Sequence, residues 1–165
     1  MKNGADYIKP RKEAERMLAE HKIEYLPIDP RIIAKEEGLD VVFFEPTTES
    51  MKKISGFLDI NKKKIFVNSE NSVNRQTFTI AHELGHWLMH KDIIQKDPSR
   101  YLVFRTDQMG LPSLDPMESE ANAFAANLLV PMRTLLRLSE KYTVEELSKI
   151  FLVSVAVISN RLNYG

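Results

Sequence analysis

The 165-residue chain contains no cysteine, which excludes disulfides and every zinc site built on thiolates. It has no apolar run close to the roughly 18 residues of a membrane span, and its first residues lack the apolar core of a signal peptide. Its 23 basic and 23 acidic side chains leave no net charge, which argues against a general binder of polyanions. These absences predict a cytoplasmic protein that neither spans a membrane nor binds nucleic acid through bulk charge.

What is present is an ordinary globular composition, with 43% hydrophobic and 28% charged residues. This length is enough to bury one core, so we expect a single domain over residues 1–165. Helices come first, then a small antiparallel sheet, then more helices, which is the order of an α+β fold. The sequence predicts helices over 10–21 and 29–38, a strand over 39–45, and a hairpin of 54–60 with 64–68.

The most informative segment is His82-Glu83-Leu84-Gly85-His86. On a helix, positions i and i+4 lie about 40° apart around the axis, so the rings of His82 and His86 can present nitrogen atoms to one point. Glu83 lies about 100° round from His82, close to a bound ion but outside its ligand shell. Two imidazoles, an adjacent carboxylate and an open coordination position are what a zinc hydrolase needs. We therefore predict a metal site here.

The flanking residues place this motif on a buried amphipathic helix. A polar stretch over 68–72 can start a helix, and apolar residues then recur at helical spacing. A glycine at position 85 costs about 1 kcal/mol of helix stability against alanine. We therefore expect another backbone to pack closely against Gly85. The apolar residues at helical spacing are Thr77, Ala81, Leu84 and Leu88, flanked by Phe78, Ile80 and Trp87.

A third metal ligand must be Asp or Glu because the chain has no cysteine, and a fourth position is then left for water. The candidate is Glu118, on a helix that Asp115 caps and Pro131 ends. Glu118 shares a small, apolar face with Ala121 and Ala125, and a carboxylate on a buried face needs a partner. The alternative role for Glu118 is a capping box, since it stands three residues after Asp115.

A second acid on the same helix, Glu120, points about 200° away from Glu118, and we expect it to be solvated. His90, one turn beyond His86, is more typical of a helix-terminal cation than of a ligand. Tyr101, Arg105 and His90 stay open as donors to an oxyanion. We expect residues 91–113 to form a long loop beside the cleft, with a short strand at 101–105.

Two segments carry a family resemblance: RQTFTIAHELGHWLMH over 75–90 and ESEANAFAANLLVP over 118–131 resemble the ImmA/IrrE family of metallopeptidases. The resemblance implies a zincin-like fold, with the active-site helix packed behind the sheet. It also implies that His82, His86 and Glu118 bind Zn²⁺, or another divalent ion such as Mn²⁺, and that Glu83 is the catalytic acid/base. Many members cleave a helix-turn-helix repressor of a mobile element or stress response, so the implied partner is a repressor substrate.

Two other function classes remain open: a DNA-binding regulator, and a catalytically idle, antitoxin-like partner on a zincin scaffold. Residues 131–165 form a helical subregion with a helix-turn-helix-like pair. The second helix of that pair would begin Val-Ala-Val-Ile at 155–158, without the polar side chains that reach bases, and its basic residue Arg161 comes late. We therefore expect the pair to pack on the core or on a protein and not to bind DNA. The complete ligand set argues against an idle protein, although a fold alone does not prove turnover.

Overall fold

The computed structural model describes residues 4–99 and 115–165, and this part of the chain has the predicted α+β class. None of its helices is both long and apolar enough to traverse a bilayer. The helices are α1 Ile8–Glu20, α2 Pro30–Glu36, α3 Glu49–Lys52, α4 Val73–Lys96, α5 Pro116–Leu129, α6 Met132–Ser139, α7 Val144–Phe151 and α8 Val155–Tyr164. The strands are β1 Asp40–Phe44, β2 Gly56–Asp59 and β3 Lys64–Asn68.

The sheet has the order β1-β3-β2, with β2 antiparallel and β1 parallel to the central strand β3. The predicted hairpin of β2 and β3 is confirmed. The sheet as a whole is mixed and not antiparallel. After β1 the chain passes through α3 and β2, and β3 then lies beside β1 and runs in the same direction. Ile65 and Val67 are buried on the face towards the helices, while Phe66 stacks on Phe57 on the other face.

The central element is α4, which carries the His-Glu-Leu-Gly-His motif. Ser72 caps its first turn by accepting from the backbone N–H of Arg75, as the polar stretch over 68–72 predicts. The expected amphipathic character is wrong for the middle of this helix, since every residue of 77–86 is buried. The reason is that α1, α2, α5, β2 and β3 all contact α4, so no side of this segment faces water. Polar atoms of the motif therefore need partners inside the protein.

The expected loop over 91–113 is wrong at its start, because α4 continues to Lys96. Ile94 is 5% exposed and extends the buried side of the helix by one turn beyond His90. Residues 100–114 lie outside the described residues, and with them Tyr101, Arg105 and the strand expected at 101–105.

The helix that carries Glu118 is α5, and its ends are as predicted. The Asp115 carboxylate accepts from the backbone N–H groups of Met117 and Glu118, a cap that contributes about 1 kcal/mol. The helix ends at Leu129, two residues before Pro131. On its two sides α5 packs against α4 and α1, so it fixes the position of the metal motif relative to the N-terminal helix.

The close contact expected at Gly85 exists, but with a side chain and not with a backbone. A Cβ atom at this position would lie 2.9 Å from Cδ1 of Phe124, whose ring in α5 is fully buried. Glycine therefore lets α5 approach α4 at the motif itself, which brings Glu118 within reach of the histidines.

The C-terminal helices pack into the core. Phe151 of α7 and Ile158 of α8 are fully buried in the same apolar cluster that includes Leu84 of α4. The Arg161 guanidinium is also buried, and its Nε and Nη2 donate to the Val130 carbonyl oxygen at 3.1 and 3.0 Å. This contact satisfies a carbonyl at the end of α5 and joins α8 to the helix that carries Glu118.

The contact of Gly85 with Phe124 leads to a stability prediction. Gly85→Ala should lower the free energy of unfolding by about 1 kcal/mol, because overpacking of about 1–3 kcal/mol exceeds the gain of about 1 kcal/mol in helix propensity. Urea denaturation measures the change. In a Phe124→Leu background the same substitution should be neutral or stabilising, since the ring is absent. A Gly85→Ala protein more stable than the unmodified one would contradict the prediction.

Candidate metal site

Three side chains converge at one buried point between α4 and α5. Nε2 of His82 lies 3.1 Å from Nε2 of His86 and 3.1 Å from Oε2 of Glu118, and Nε2 of His86 lies 3.0 Å from Oε1 of Glu118. All three residues are under 8% exposed. The structure thus brings together the three residues that the sequence predicts as metal ligands, and they form a group that could hold a metal ion.

The orientation of Glu118 decides between its two predicted roles. The backbone N–H of Glu118 donates to Asp115 as part of the helix cap, but the Glu118 carboxylate lies against the imidazoles of His82 and His86. Asp115 therefore supplies the cap, and the side chain of Glu118 is directed into the candidate site.

His82 is held by a residue to which the sequence assigns no role. Its Nδ1 lies 2.8 Å from Oδ1 of Asn122, one turn beyond Glu118 on α5. An amide oxygen only accepts, so Nδ1 of His82 carries a hydrogen, and Nε2 is the nitrogen that faces Glu118 in the candidate site. A metal-binding histidine commonly donates its other N–H in this way. The i, i+4 spacing of Glu118 and Asn122 on the buried face is the signal that could have identified Asn122.

The structure overturns two expectations on the far side of His86. Glu120 is not solvated: its side chain is 14% exposed, and Oε2 lies 2.8 Å from Nε2 of His90. His90 is not a helix-terminal cation, because α4 continues beyond it and the residue is 2% exposed. Burial is the largest cause that lowers the pKa of His90 to about 4, so the ring is neutral at pH 7. Nδ1 of His90 lies 3.1 Å from Nδ1 of His86.

The electrostatics favour the protonation states that metal ligands need. Burial would raise the pKa of Glu118, but the adjacent imidazoles of His82 and His86 outweigh burial and hold that pKa well below its usual range. Burial lowers the pKa of His86, and the neighbouring Glu118 opposes this only in part. A carboxylate and a neutral imidazole are the forms that coordinate a metal.

The donor set and its spacing fit a zinc-like ion. In a tetrahedral site with bonds of about 2.05 Å, ligand atoms lie about 3.3 Å apart. The three distances of 3.0–3.1 Å between the candidate ligand atoms are within about 0.3 Å of that value. Two imidazoles and one carboxylate form the protein part of many catalytic zinc sites, and they leave a further position for water. Imidazole and carboxylate also suit Mn²⁺ or Fe²⁺, so the donor set does not select one metal.

Glu83, the remaining residue of the motif, is fully buried on α4 beside His82. Its predicted catalytic role stays a prediction at this point. Of the three candidates for an oxyanion donor, His90 is buried and has both ring nitrogens in contact with His86 and Glu120, which argues against that role.

This geometry leads to a prediction on metal content. The purified protein should bind about one Zn²⁺ per chain, and Glu118→Ala should weaken binding by more than about a hundredfold, beyond the effect of losing an outer partner. Competition with a chelator of known affinity measures this. A matched control is Glu70→Ala, an exposed acid just before α4. Equal zinc affinity in Glu118→Ala and the control would remove Glu118 from the ligand set.

Comparisons with known proteins agree with this geometry. No curated protein sequence matches the chain significantly. Among solved structures, one described as a Mycobacterium tuberculosis transcriptional regulator is similar with a TM-score of 0.66 and 22% identity. The similarity covers 94% of this chain but 46% of that one, so this chain spans about half the length of its structural neighbour, and the likeness concerns the fold alone. The model of the IrrE N-terminal-like domain, peptidase family M78, matches residues 34–163, and the chain therefore belongs to this metallopeptidase family.

Proposed function

We propose that the protein is a zinc-dependent endopeptidase that hydrolyses a peptide bond in a protein substrate. The observation that carries this proposal is the convergence of Nε2 of His82, Nε2 of His86 and the Glu118 carboxylate within 3.1 Å of one another, with Glu83 next to them on α4. Membership of a metallopeptidase family supports the same reaction class and implies a protein substrate.

The proposed chemistry divides between the metal and the chain. When bound, Zn²⁺ supplies Lewis acidity that makes water acidic enough to attack at neutral pH and that polarises the scissile carbonyl. A carboxylate oxygen of Glu83 accepts the proton of the attacking water and passes it to the nitrogen of the leaving amine. His82, His86 and Glu118 hold the metal. Their burial keeps competing solvent ligands few, which favours a single productive arrangement.

We further propose that the substrate is a helix-turn-helix transcriptional repressor of a mobile element or a stress response. Two considerations support this choice. The resemblance to the ImmA/IrrE family implies it, and the similar solved structure is that of a protein described as a transcriptional regulator. If a neighbouring reading frame encodes a repressor-like protein, that protein is the first substrate to test, with cleavage products identified by mass spectrometry.

DNA binding by the chain itself is the weaker candidate. Arg161, the basic residue of α8, is 9% exposed, and its guanidinium donates to the Val130 carbonyl, so it is not available for a phosphate or a base edge. Residues 132–165 carry five basic and three acidic side chains, an excess too small for a phosphate footprint. Both observations favour regulation through proteolysis over direct DNA binding by this chain.

The role of Glu83 leads to a prediction that separates a peptidase from an idle scaffold. Glu83→Gln should keep its zinc and lose repressor cleavage by about a thousandfold or more, because general acid–base catalysis contributes about 10²–10⁴. Metal analysis and a cleavage assay on the same preparation measure both quantities. Glu70→Gln, an exposed substitution, is the matched control and should be fully active.

Two results would contradict this assignment. Loss of zinc in Glu83→Gln would make Glu83 a ligand. Unchanged cleavage in Glu83→Gln would show that the activity does not come from this site.

A further prediction concerns DNA. The protein should show no sequence-selective binding to duplex DNA at physiological ionic strength, because α8 offers no exposed basic side chain at its start. Selection of bound duplexes from a randomised library, followed by fluorescence anisotropy of the selected duplexes at several salt concentrations, measures this. Selective enrichment of a sequence with a steep salt dependence would favour the DNA-binding regulator instead.

A further inference from the structure

A chain of hydrogen bonds leads from the candidate metal site to the opposite side of α5. Nδ1 of His86 lies 3.1 Å from Nδ1 of His90, and Nε2 of His90 lies 2.8 Å from Oε2 of Glu120. The other oxygen of Glu120, Oε1, accepts from the backbone N–H of Asp6 at 2.9 Å. The first contact lies within α4, the second joins α4 to α5, and the third joins α5 to the segment before α1.

The direction of every bond in this chain follows from its outer end. The Glu120 carboxylate can only accept, so Nε2 of His90 must carry a hydrogen and donate it. With that hydrogen on Nε2, Nδ1 of His90 is the nitrogen that accepts from Nδ1–H of His86. The remaining nitrogen of His86, Nε2, keeps its lone pair, and this is the atom that lies 3.0 Å from Glu118 in the candidate metal site.

Packing alone does not explain why His90 and Glu120 are polar residues at buried positions. His90 is 2% exposed on a helix whose other buried residues beyond the motif are Met89 and Ile94. An apolar side chain would fill this position without the cost of burying an imidazole and a carboxylate. The polar pair therefore has a task other than packing, and the atom at the inner end of the chain indicates what that task is.

We propose that His90 and Glu120 are positioning residues of the metal site, which fix the tautomer and the ring orientation of His86 so that Nε2 faces the metal. This inference rests on the metal site of the proposed function. Outer hydrogen-bond partners of metal-binding histidines do this in general, and their loss typically weakens metal binding by about 10- to 100-fold.

The two histidine ligands are thereby held in different ways. His82 donates to Asn122, a neutral amide, whereas His86 donates into a chain that ends on a carboxylate. The negative charge of Glu120 at the end of the hydrogen-bond chain makes His86 the more basic metal ligand of the two. It stabilises the positive charge that the ring acquires when it binds a cation. The charge of Glu120 should therefore contribute to metal affinity without contact with the metal.

Substitutions at His90 test whether the hydrogen bonds matter, rather than the volume of the side chain. His90→Leu should reduce Zn²⁺ affinity by about 10- to 100-fold, measured by chelator competition on the full chain. His90→Gln should restore most of that loss, because one amide can both accept from His86 and donate to Glu120. Asp92→Asn, an exposed change two residues further along α4, is the control and should bind zinc normally.

The charge of Glu120 is tested separately with Glu120→Gln, which keeps the size of the side chain and an oxygen that can accept from Nε2 of His90, and which gives up only the exposed bond to the Asp6 N–H. This variant should lose about tenfold in Zn²⁺ affinity while the unfolding temperature of the metal-free protein stays close to that of the Asp92→Asn control. Equal zinc affinity in the unmodified protein, His90→Leu and Glu120→Gln would overturn the inference and leave the proposed function intact. An unmodified protein that binds no zinc would overturn both.

Should His90→Leu fail to fold, the tautomers can be read directly in the unmodified protein. Long-range ¹H–¹⁵N NMR spectra of the zinc-loaded chain should show His90 with its proton on Nε2, and His86 with its proton on Nδ1. A proton on Nδ1 of His90 instead would reverse the direction of the chain and overturn the inference.

Discussion

The packing of α5 against α4 is the constraint on which the candidate site depends. Each helix alone contributes an incomplete set of ligands, two imidazoles from α4 and one carboxylate from α5, and the set is complete only at the distance at which the two helices meet. That distance is set next to the site, where Gly85 accommodates the ring of Phe124. Since both helices are buried here, the polar atoms between them must satisfy one another or a bound cation.

The three candidate ligands could be predicted from the sequence because the signals that mark them are local. The His82–His86 spacing and the position of Glu118 on a small-residue face are local helical properties. Helix α5 has the expected ends, and α4 begins as expected but continues beyond its expected end. The capping residue Asp115 likewise acts within its own helix turn. Local signals of this kind survive folding because the same residues contact each other before and after the helices pack.

What the sequence missed depends on which elements pack together. A helical wheel places Glu120 away from Glu118, and that direction is correct, but it does not reveal that α1 covers that side of α5. The spacing of apolar residues predicts an amphipathic α4, but five other elements contact this helix and bury its polar side as well. The parallel pairing of β1 is a similar case, because strand order is a property of the whole sheet and not of one strand's residues.

The N-terminal helix therefore belongs to the environment of the site although it lies far from it in sequence. The family match begins at residue 34, after α1, yet Asp6 donates to Glu120 and Nζ of Lys9 donates to the Met89 carbonyl at 3.4 Å. Helix α1 also packs along α5 over much of its length. The three candidate ligands lie within the matched residues, but the backbone N–H that donates to the Glu120 carboxylate belongs to Asp6, which precedes the match. The support of the site is thus larger than the segment that carries its motifs, since burial of α4 and α5 requires a covering element on every side.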